Sequence, residues 1–379
     1  MSFIEQGMDM LQNLKLRCRG ITFVAILVST AFLGFVVFSP LFITVFALKL
    51  QCARWIVDTV ISSWFALAVA TYEFIYGVNI VINGDVSRMD KYCSSLIIMN
   101  HRTRLDWLFY FSVQARYCSL RRFIISLKDG LRYAPGAGWA MQAKQFIFLR
   151  RNWEEDKVRI ENGLKHFSHV NYNPQLLLFP EGTDFTPYTR SKSKEYAKKN
   201  DLPDYEFVLH PRTTGFVSVL GFMKNYNDLK QIVDVTIGYP QNMLQNETEL
   251  LNGNIPREIV FNIQTFDAAD LVSKDESELS KWLEERWAVK ETYLKSFYEL
   301  KTPITANGLS LNKNIDIERE TYLFLIGVML FWIFITFSTV WCLIFYTYYR
   351  WVFFTLTIVN TVIGVFVGFD HLFAKMSLI

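Results

Sequence analysis

The sequence has few cysteines, little net charge and no motif of a serine nucleophile. Its five cysteines include no Cys-x-x-Cys pair, which argues against a disulfide scaffold and predicts free thiols in a reducing compartment. A net charge of +3 over 379 residues gives no sign of a nucleic-acid partner. Gly-x-Ser-x-Gly is absent, and no cluster of potential metal ligands is apparent. We therefore expect neither a serine acyl-enzyme nor a bound metal or cofactor.

Apolar residues, in contrast, are abundant and concentrate at the two ends of the chain. They make up 51% of the sequence, and aromatic residues 16%. Residues 21–48 contain no charged side chain, and this run is longer than the ~20 residues that cross a bilayer as a helix. It lacks the cleavage site of a signal peptide, so it predicts a retained anchor. Ser39 and Pro40 inside it predict a kink or a re-entrant turn.

Three more apolar segments follow. Residues 55–81 contain Asp58 and Glu73, which the centre of a bilayer tolerates poorly. They predict a helix that either lies in the membrane interface or packs on the first segment. Residues 322–346 and 351–369 are free of charge and each is long enough to span a membrane. With residues 347–350 as the loop between them, they predict a C-terminal transmembrane hairpin.

The middle of the chain alternates short apolar runs with polar helical segments, which is typical of an α/β domain. We expect a mixed sheet flanked by helices in residues 80–300, after N-terminal anchor or interfacial helices in residues 1–79. A linker at 301–320 leads to the hairpin at 321–379. Helices are predicted after Asp106 and over residues 153–167 and 276–300. Seven strands are predicted, at residues 80–82, 96–99, 123–126, 146–149, 176–179, 232–239 and 259–263.

His101 follows the second predicted strand and stands five residues before Asp106. Side chains five apart do not share a helical face, since helical neighbours are three or four apart. The two can meet only if His101 lies in the turn and Asp106 in the first turn of the next helix. In that geometry the carboxylate fixes the imidazole tautomer, and the free ring nitrogen can take a proton from a hydroxyl.

A second block ends another predicted strand about 80 residues later, with the sequence Phe-Pro-Glu-Gly-Thr at residues 179–183. Together the two blocks resemble the lysophospholipid and 1-acylglycerol-3-phosphate acyltransferase family, whose hallmarks are His-x4-Asp and Phe-Pro-Glu-Gly-Thr. The resemblance implies that His101 is the general base and Asp106 its orienting partner. Glu181, Gly182 and Thr183 would then shape the site of the acyl acceptor, with Glu181 holding an arginine or a glycerol hydroxyl.

Two further stretches extend this resemblance. Residues 145–151 are similar to the Gly-x-x-Phe-Ile-x-Arg block of the family, with Gln145 in place of its glycine. Arg151 would bind a phosphate there, and Arg150 is the competing candidate. Residues 134–142 and 205–216 resemble the branch that contains lysocardiolipin acyltransferase, and Arg212 is a further candidate phosphate ligand. The resemblance runs from about residue 80 to residue 300.

This branch implies a multi-pass enzyme of the endoplasmic reticulum membrane that acylates anionic lysophospholipids with acyl-CoA as co-substrate. Candidate acceptors are lysophosphatidylinositol, lysophosphatidylglycerol, lysocardiolipin and lysophosphatidic acid. Lys and Arg crowd the central domain, which the positive-inside rule places in the cytosol. A CoA-independent transacylase and a non-catalytic lipid-binding protein on the same scaffold remain alternatives. The basic run of Arg190, Lys192, Lys194, Lys198 and Lys199 predicts a solvated loop or a contact with anionic lipid headgroups.

Overall fold

The computed structural model of the protein describes residues 3–245, 247–299 and 319–378. All seven predicted strands are present in one sheet. They are β1 (Asn79–Gly84), β2 (Ser94–Met99), β3 (Phe123–Lys128), β4 (Ile147–Leu149), β5 (Gln175–Leu178), β6 (Leu229–Gly238) and β7 (Glu258–Asp267). The helices are α1 (Phe3–Ala47), α2 (Ala53–Ala70), α3 (Asp106–Tyr117), α4 (Ala137–Ala143), α5 (Trp153–His169), α6 (Pro187–Lys199), α7 (Thr213–Asn227), α8 (Glu247–Leu251), α9 (Ala269–Val272), α10 (Glu276–Glu299), α11 (Arg319–Phe345), α12 (Thr347–Val362) and α13 (Phe369–Leu378).

The sheet is mixed, as expected, with the strand order β1-β7-β6-β2-β5-β3-β4. β6, β2, β5, β3 and β4 run parallel to one another, whereas β7 is antiparallel to β6 and β1 is parallel to β7. The carboxyl ends of the five parallel strands therefore meet at one edge, which is the usual place for a site in such a sheet. His101 follows β2, and Glu181 follows β5, its direct neighbour.

Helices cover both faces of the sheet, and the side chains of β7 show which helix lies where. Successive strand residues point to opposite faces. Phe261 packs against Tyr110 on α3, with ring centroids 6.0 Å apart, and Phe266 packs against Trp282 on α10 at 5.4 Å. α3 and α10 thus lie on opposite faces. α2 packs on the outside of α3, and Tyr72, in the helical turn that follows α2, hydrogen-bonds Ser112 at 2.6 Å.

The charges of the second apolar segment are buried against the α/β domain. Asp58 on α2 accepts hydrogen bonds from Arg54 at 2.8 Å and from Lys144 at 3.3 Å. Glu73 accepts from Arg116 at 2.6 Å, and both partners are nearly inaccessible to solvent. Of the two predicted placements, a helix packed on the first segment is therefore confirmed, because α2 contacts α1, α3 and α11.

The re-entrant turn predicted at Pro40 is wrong, because α1 is one helix from Phe3 to Ala47. Proline has no N–H for the carbonyl four residues earlier, which is that of Val36. Ser39 replaces the missing donor, since its hydroxyl donates to the Val36 carbonyl at 3.1 Å. Asn360 on α12 donates in turn to the Ser39 hydroxyl at 2.8 Å, so this position also joins α12 to α1.

Four segments are long and apolar enough to cross a membrane. They lie in helices α1, α2, α11 and α12 and in the turns that follow α2 and α12.

Two details near the C-terminus differ from the predicted hairpin. The predicted loop at 347–350 is helical, because the break between α11 and α12 is confined to Tyr346. Gly368, at φ +85°, ends the second segment, and α13 follows. The predicted linker lies outside the described residues, apart from Arg319 and Glu320, which begin α11.

The basic run is also helical, so the predicted loop is wrong. All five cations lie on α6, which begins with a capping box in which the Thr186 side chain accepts from the Thr189 amide and the Thr189 hydroxyl accepts from the Thr186 amide. Pro187 occupies the first helical turn, where proline costs no hydrogen bond. These two signals are visible in the sequence and account for the start of the helix.

Candidate active site

The site is built from two loops that leave adjacent parallel strands. β2 ends at Met99, and Asn100 anchors the following turn to β6 by exchanging two hydrogen bonds with the Ile237 backbone, at 2.8 and 3.1 Å. β5 pairs with β2 up to Leu178. The chain after β5 returns to the first loop, where the Phe185 amide donates to the His101 carbonyl at 2.8 Å. The two sequence blocks are therefore neighbours in space.

The predicted contact between His101 and Asp106 is present. His101 Nδ1 lies 3.0 Å from Asp106 Oδ2, with His101 in the turn and Asp106 as the first residue of α3. The Asp106 side chain is fully buried, whereas 16% of the His101 side chain is exposed. Since the carboxylate accepts from Nδ1–H, the imidazole leaves Nε2 as the nitrogen that can accept a proton. The ring stacks on Phe179 of the second loop at a centroid distance of 4.1 Å.

Asp106 has further hydrogen-bond donors that satisfy its buried charge. The Thr103 amide donates to Oδ2 at 3.0 Å, and the Thr103 hydroxyl donates to Oδ1 at 3.1 Å. The Tyr239 hydroxyl, just past β6, also donates to Oδ1 at 2.6 Å. A buried carboxylate with this many donors keeps one orientation. Tyr239 could not be predicted from the sequence, since no local pattern links it to a residue 133 positions away.

Glu181 is buried, with 3% of its surface exposed, and lies beneath the site. Its Oε1 accepts a hydrogen bond from the indole N–H of Trp287 on α10 at 3.1 Å. Two partners were predicted, an arginine or a glycerol hydroxyl; in the described part of the chain, the side chain that donates to Glu181 is this tryptophan and not an arginine. Burial raises the pKa of Glu181 to about 7, although the nearby His101 opposes this rise. Glu181 therefore links the second loop to α10.

Gly182 and Arg212 form the outer part of the second loop. Gly182 adopts φ +72°, which favours glycine. A Cβ added there would come within 3.2 Å of the Arg212 side chain, so glycine lets the guanidinium lie over the loop. The Arg212 amide donates to the Pro180 carbonyl at 2.8 Å. Arg212 and Gly182 are exposed, and Thr183 is half-buried, so all three face the open edge of the sheet.

The structure separates Arg151 from this group. β4 lies two strands beyond β5 in the sheet, so Arg151 is at the same edge but not in the same loop cluster. Arg151 is exposed and has a left-handed backbone at φ +65°. Arg150 forms ion pairs with Glu155 at 3.3 Å and with Asp129 at 3.8 Å. Both arginines face solvent. Among the ion pairs of the described residues, the contacts with carboxylates are made by Arg150.

Arg102 is a second residue that the sequence analysis missed. Its guanidinium is packed between the rings of Phe185, 4.5 Å away, and Tyr298 on α10, 5.3 Å away. It donates to the Phe207 carbonyl at 2.5 Å. The carboxylate of Glu291, also on α10, accepts from the backbone amides of residues 206, 207 and 208 at 2.7, 2.9 and 3.1 Å. α10 thus holds both the first loop and the segment that carries Arg212.

Known proteins are similar to most of this chain. The family model described as Acyltransferase matches residues 86–239, and the model described as Acyltransferase C-terminus matches residues 249–332. Lysocardiolipin acyltransferase 1 of Gallus gallus is 38% identical over 95% of this chain and 93% of its own. Lysocardiolipin acyltransferase 1 of Danio rerio is 43% identical over 74% of this chain and 72% of its own. Lysophosphatidylinositol acyltransferase 10 of Caenorhabditis elegans is 39% identical over 70% of this chain and 66% of its own.

The same family is indicated by the two loops, by their order along the chain and by these similarities. The chain belongs to the lysophospholipid and 1-acylglycerol-3-phosphate acyltransferase family, near the lysocardiolipin acyltransferases, and is an O-acyltransferase.

Proposed function

We propose that the protein transfers a fatty acyl chain from acyl-CoA to a hydroxyl group of an anionic lysophospholipid during phospholipid remodelling. The observation that carries this proposal is the 3.0 Å contact between His101 and a fully buried, fully hydrogen-bonded Asp106 at the open edge of the sheet. A base held in this way suits direct attack of a lipid hydroxyl on a thioester.

In the proposed reaction, the lipid hydroxyl oxygen attacks the thioester carbonyl carbon while His101 Nε2 accepts the hydroxyl proton. The tetrahedral intermediate collapses, the C–S bond breaks, and the proton passes to the departing CoA thiolate. Asp106 stabilises the imidazolium that forms in between. General-base catalysis of this kind contributes about 10²–10⁴-fold to the rate, and no bound metal or cofactor is needed.

The exposed part of the second loop is the proposed acceptor site. Arg212 lies over Gly182, where its guanidinium can donate two hydrogen bonds to a lipid phosphate. Thr183 follows Gly182 in the same loop, and its hydroxyl, which donates to Asp184 at 3.4 Å, could turn to the phosphate. Glu181, being buried, contributes by holding this loop to Trp287. Arg151 lies further along the same edge of the sheet, after β4. It is therefore better placed to bind a second phosphate group than the phosphate that Arg212 binds.

The choice of an anionic acceptor rests on charge and on the names of the relatives. Lysocardiolipin, lysophosphatidylinositol and 1-acyl-sn-glycerol-3-phosphate, which name the substrates of similar proteins, all carry a phosphate. Arg151 and Arg212 offer two cations at the edge of the sheet. We also propose that the enzyme resides in the endoplasmic reticulum membrane with its α/β domain in the cytosol, where acyl-CoA is available.

A donor and acceptor panel tests this proposal. Purified protein in detergent is given radiolabelled acyl-CoA or a radiolabelled phospholipid, together with lysophosphatidylinositol, lysophosphatidylglycerol, lysocardiolipin or lysophosphatidic acid. We expect labelled product and stoichiometric CoA release with acyl-CoA, and weaker product formation with zwitterionic lysophosphatidylcholine. Transfer only from the phospholipid donor would identify a transacylase. Absence of transfer from either donor would identify a non-catalytic lipid-binding protein.

A further inference from the structure

A cleft lies on the face of the sheet that α10 covers, between this helix and the strands β6 and β7. Its volume is about 480 Å³, and pockets of about 300–1,000 Å³ are those that hold small molecules. Val289 and Thr292 line it from α10 and are exposed. The cleft is therefore open at the surface of the protein.

The floor of this cleft is polar, although the face of a sheet beneath a helix is usually apolar. Thr236 pairs with Asn262, and Asp234 pairs with Gln264, across β6 and β7. All four side chains line the cleft. Since residues two apart in a strand point to the same face, about 7 Å from each other, the four side chains form one polar patch under α10.

Two cations and one carboxylate lie at one end of the cleft. The buried Asp234 pairs with Arg286 at 2.7 Å and with the Lys290 ammonium, both on α10. Arg286 Nη2 also donates to Gln264 Oε1. In the described part of the chain, these contacts leave Arg286 Nη1 and the Gln264 amide nitrogen able to donate to a ligand. This end of the cleft therefore suits an oxyanion.

A buried hydroxyl group lies further along the cleft. Tyr293 follows Arg286 by seven residues, which places it two turns along the same face of α10, about 10 Å away. Only 5% of Tyr293 is exposed, and its hydroxyl has no hydrogen-bond partner among the described residues. A buried hydroxyl without a partner is unfavourable. Since Tyr293 lines the cleft, a bound ligand can supply the missing partner.

These two ends indicate the chemistry of the ligand. Arg286 and Gln264 offer charged and neutral N–H groups that match the oxygens of a phosphate. Thr236, Asn262 and Tyr293 offer hydroxyl and amide groups further along, which can both donate to and accept from the hydroxyl groups of a ligand. A phosphate joined to a short hydroxylated carbon chain matches both ends.

The cleft is separate from the loops that carry His101 and Glu181. These loops follow β2 and β5, which lie on the other side of β6 from β7 in the sheet. The candidate membrane helix α2 packs on α3, on the opposite face of the sheet from α10. A ligand in the cleft would therefore leave the proposed acceptor site open and lie on the face away from α2.

We propose that the cleft between α10 and the strands β6 and β7 binds a small, water-soluble phosphorylated polyol. Its phosphate lies at Arg286 and Gln264, and one of its hydroxyl groups pairs with Tyr293. This site takes no part in the proposed acyl transfer, so the inference goes beyond the proposed function and does not depend on it.

The test is a titration of the full chain in detergent, followed by phosphorus NMR, with sorbitol 6-phosphate or inorganic phosphate as the probe. Every protein carries Arg212→Gln, which removes the guanidinium of the proposed acceptor site. Without a further change, we expect the sorbitol ester to bind about tenfold more tightly than inorganic phosphate, because it reaches both ends of the cleft.

Two variants assign the ends of the ligand. Tyr293→Phe should weaken binding of the ester about tenfold and leave the binding of inorganic phosphate unchanged. Arg286→Lys keeps the charge but loses the planar fork of donors, so it should weaken the binding of both probes. The control is Tyr110→Phe, because Tyr110 is equally buried but lies on α3, at the opposite face of the sheet. It should bind both probes as the parent protein does.

The melting temperature of ligand-free Tyr293→Phe should not fall, because the hydroxyl makes no hydrogen bond with the described residues. A lower melting temperature would contradict the proposal. It would also be overturned by equal binding of the two probes to the parent protein, or by unchanged binding of the ester to Tyr293→Phe. Binding of phosphatidic acid in mixed micelles, without binding of the ester, would assign the cleft to lipid headgroups instead.

Discussion

The Tyr239 hydroxyl donates a hydrogen bond of 2.6 Å to Asp106, the residue that orients His101. Tyr239 immediately follows β6, on the strand neighbouring β2, so the sheet itself sets the direction of the Asp106 carboxylate. The amide of Tyr239 is held in turn by the Tyr298 hydroxyl of α10 at 3.1 Å. The orientation of His101 therefore depends on residues from three distant parts of the chain.

We predict that Tyr239→Phe lowers kcat about tenfold and leaves the KM of both substrates within about twofold. The buried Asp106 loses one charge-assisted donor, of a kind that contributes about 1.5–3 kcal/mol, and its orientation becomes less fixed. Steady-state kinetics in detergent measure the effect. Tyr110→Phe is the control, because Tyr110 is equally buried on α3 but packs on Phe123 and Phe261. Wild-type kcat in Tyr239→Phe would refute this role.

The second prediction concerns the pH dependence of stability through Glu181. Burial raises the pKa of its carboxyl from the ordinary 4.5 to about 7. Between these values the folded protein keeps a proton that the unfolded chain has lost, so stability falls as pH rises. Between pH 4.5 and pH 7, we expect the free energy of unfolding of the wild type to fall by up to about 3 kcal/mol relative to that of Glu181→Gln. Melting temperatures of the two proteins across this range measure the difference, and parallel curves would contradict it.

The third prediction concerns the buried ion pair between Asp58 and Lys144. Burial lowers the pKa of the fully inaccessible Lys144 to about 8, and Asp58 opposes this shift. Asp58→Ala leaves a buried ammonium without its carboxylate, which destabilises the protein by about 3–5 kcal/mol.

The double variant Asp58→Ala/Lys144→Met removes both charges of this pair and should recover part of that loss, as thermal unfolding can show. Arg54, which also pairs with Asp58 at 2.8 Å, keeps its charge in both variants. Asp85→Ala is the control, because Asp85 pairs with Arg88 at 3.3 Å on the exposed surface, where such pairs contribute about 0–1 kcal/mol. If Asp58→Ala and Asp85→Ala lower the stability equally, the ion pair between Asp58 and Lys144 does not hold α2 in place.

The strands could be predicted from the sequence because each is a short apolar run bounded by polar turns. The contact between His101 and Asp106 followed from their spacing and the strand that precedes them. The order of the strands and the packing of α2 on α3 could not be predicted, because they depend on pairings between distant segments. α6 was missed although its capping residues, Thr186 and Pro187, are local signals.

The residues that support the site were hidden for a related reason. Tyr239 and Trp287 lie 133 and 106 positions from their partners Asp106 and Glu181, and each occurs in an ordinary apolar segment. A tyrosine after a strand or a tryptophan on a helix is usually a core residue. Only the fold shows that their polar atoms contact Asp106 and Glu181.

The account depends on His101 as the base that removes the hydroxyl proton, and His101→Ala tests this most directly. The control is His169→Ala, an exposed histidine in the last turn of α5. The rate of CoA release with acyl-CoA and lysophosphatidylglycerol, together with equilibrium binding of the lysophospholipid, measures both variants against wild type. We predict that His101→Ala lowers kcat by about 10²–10⁴-fold while the Kd of the lysophospholipid changes less than about threefold. CoA release at the wild-type rate in His101→Ala would contradict the account.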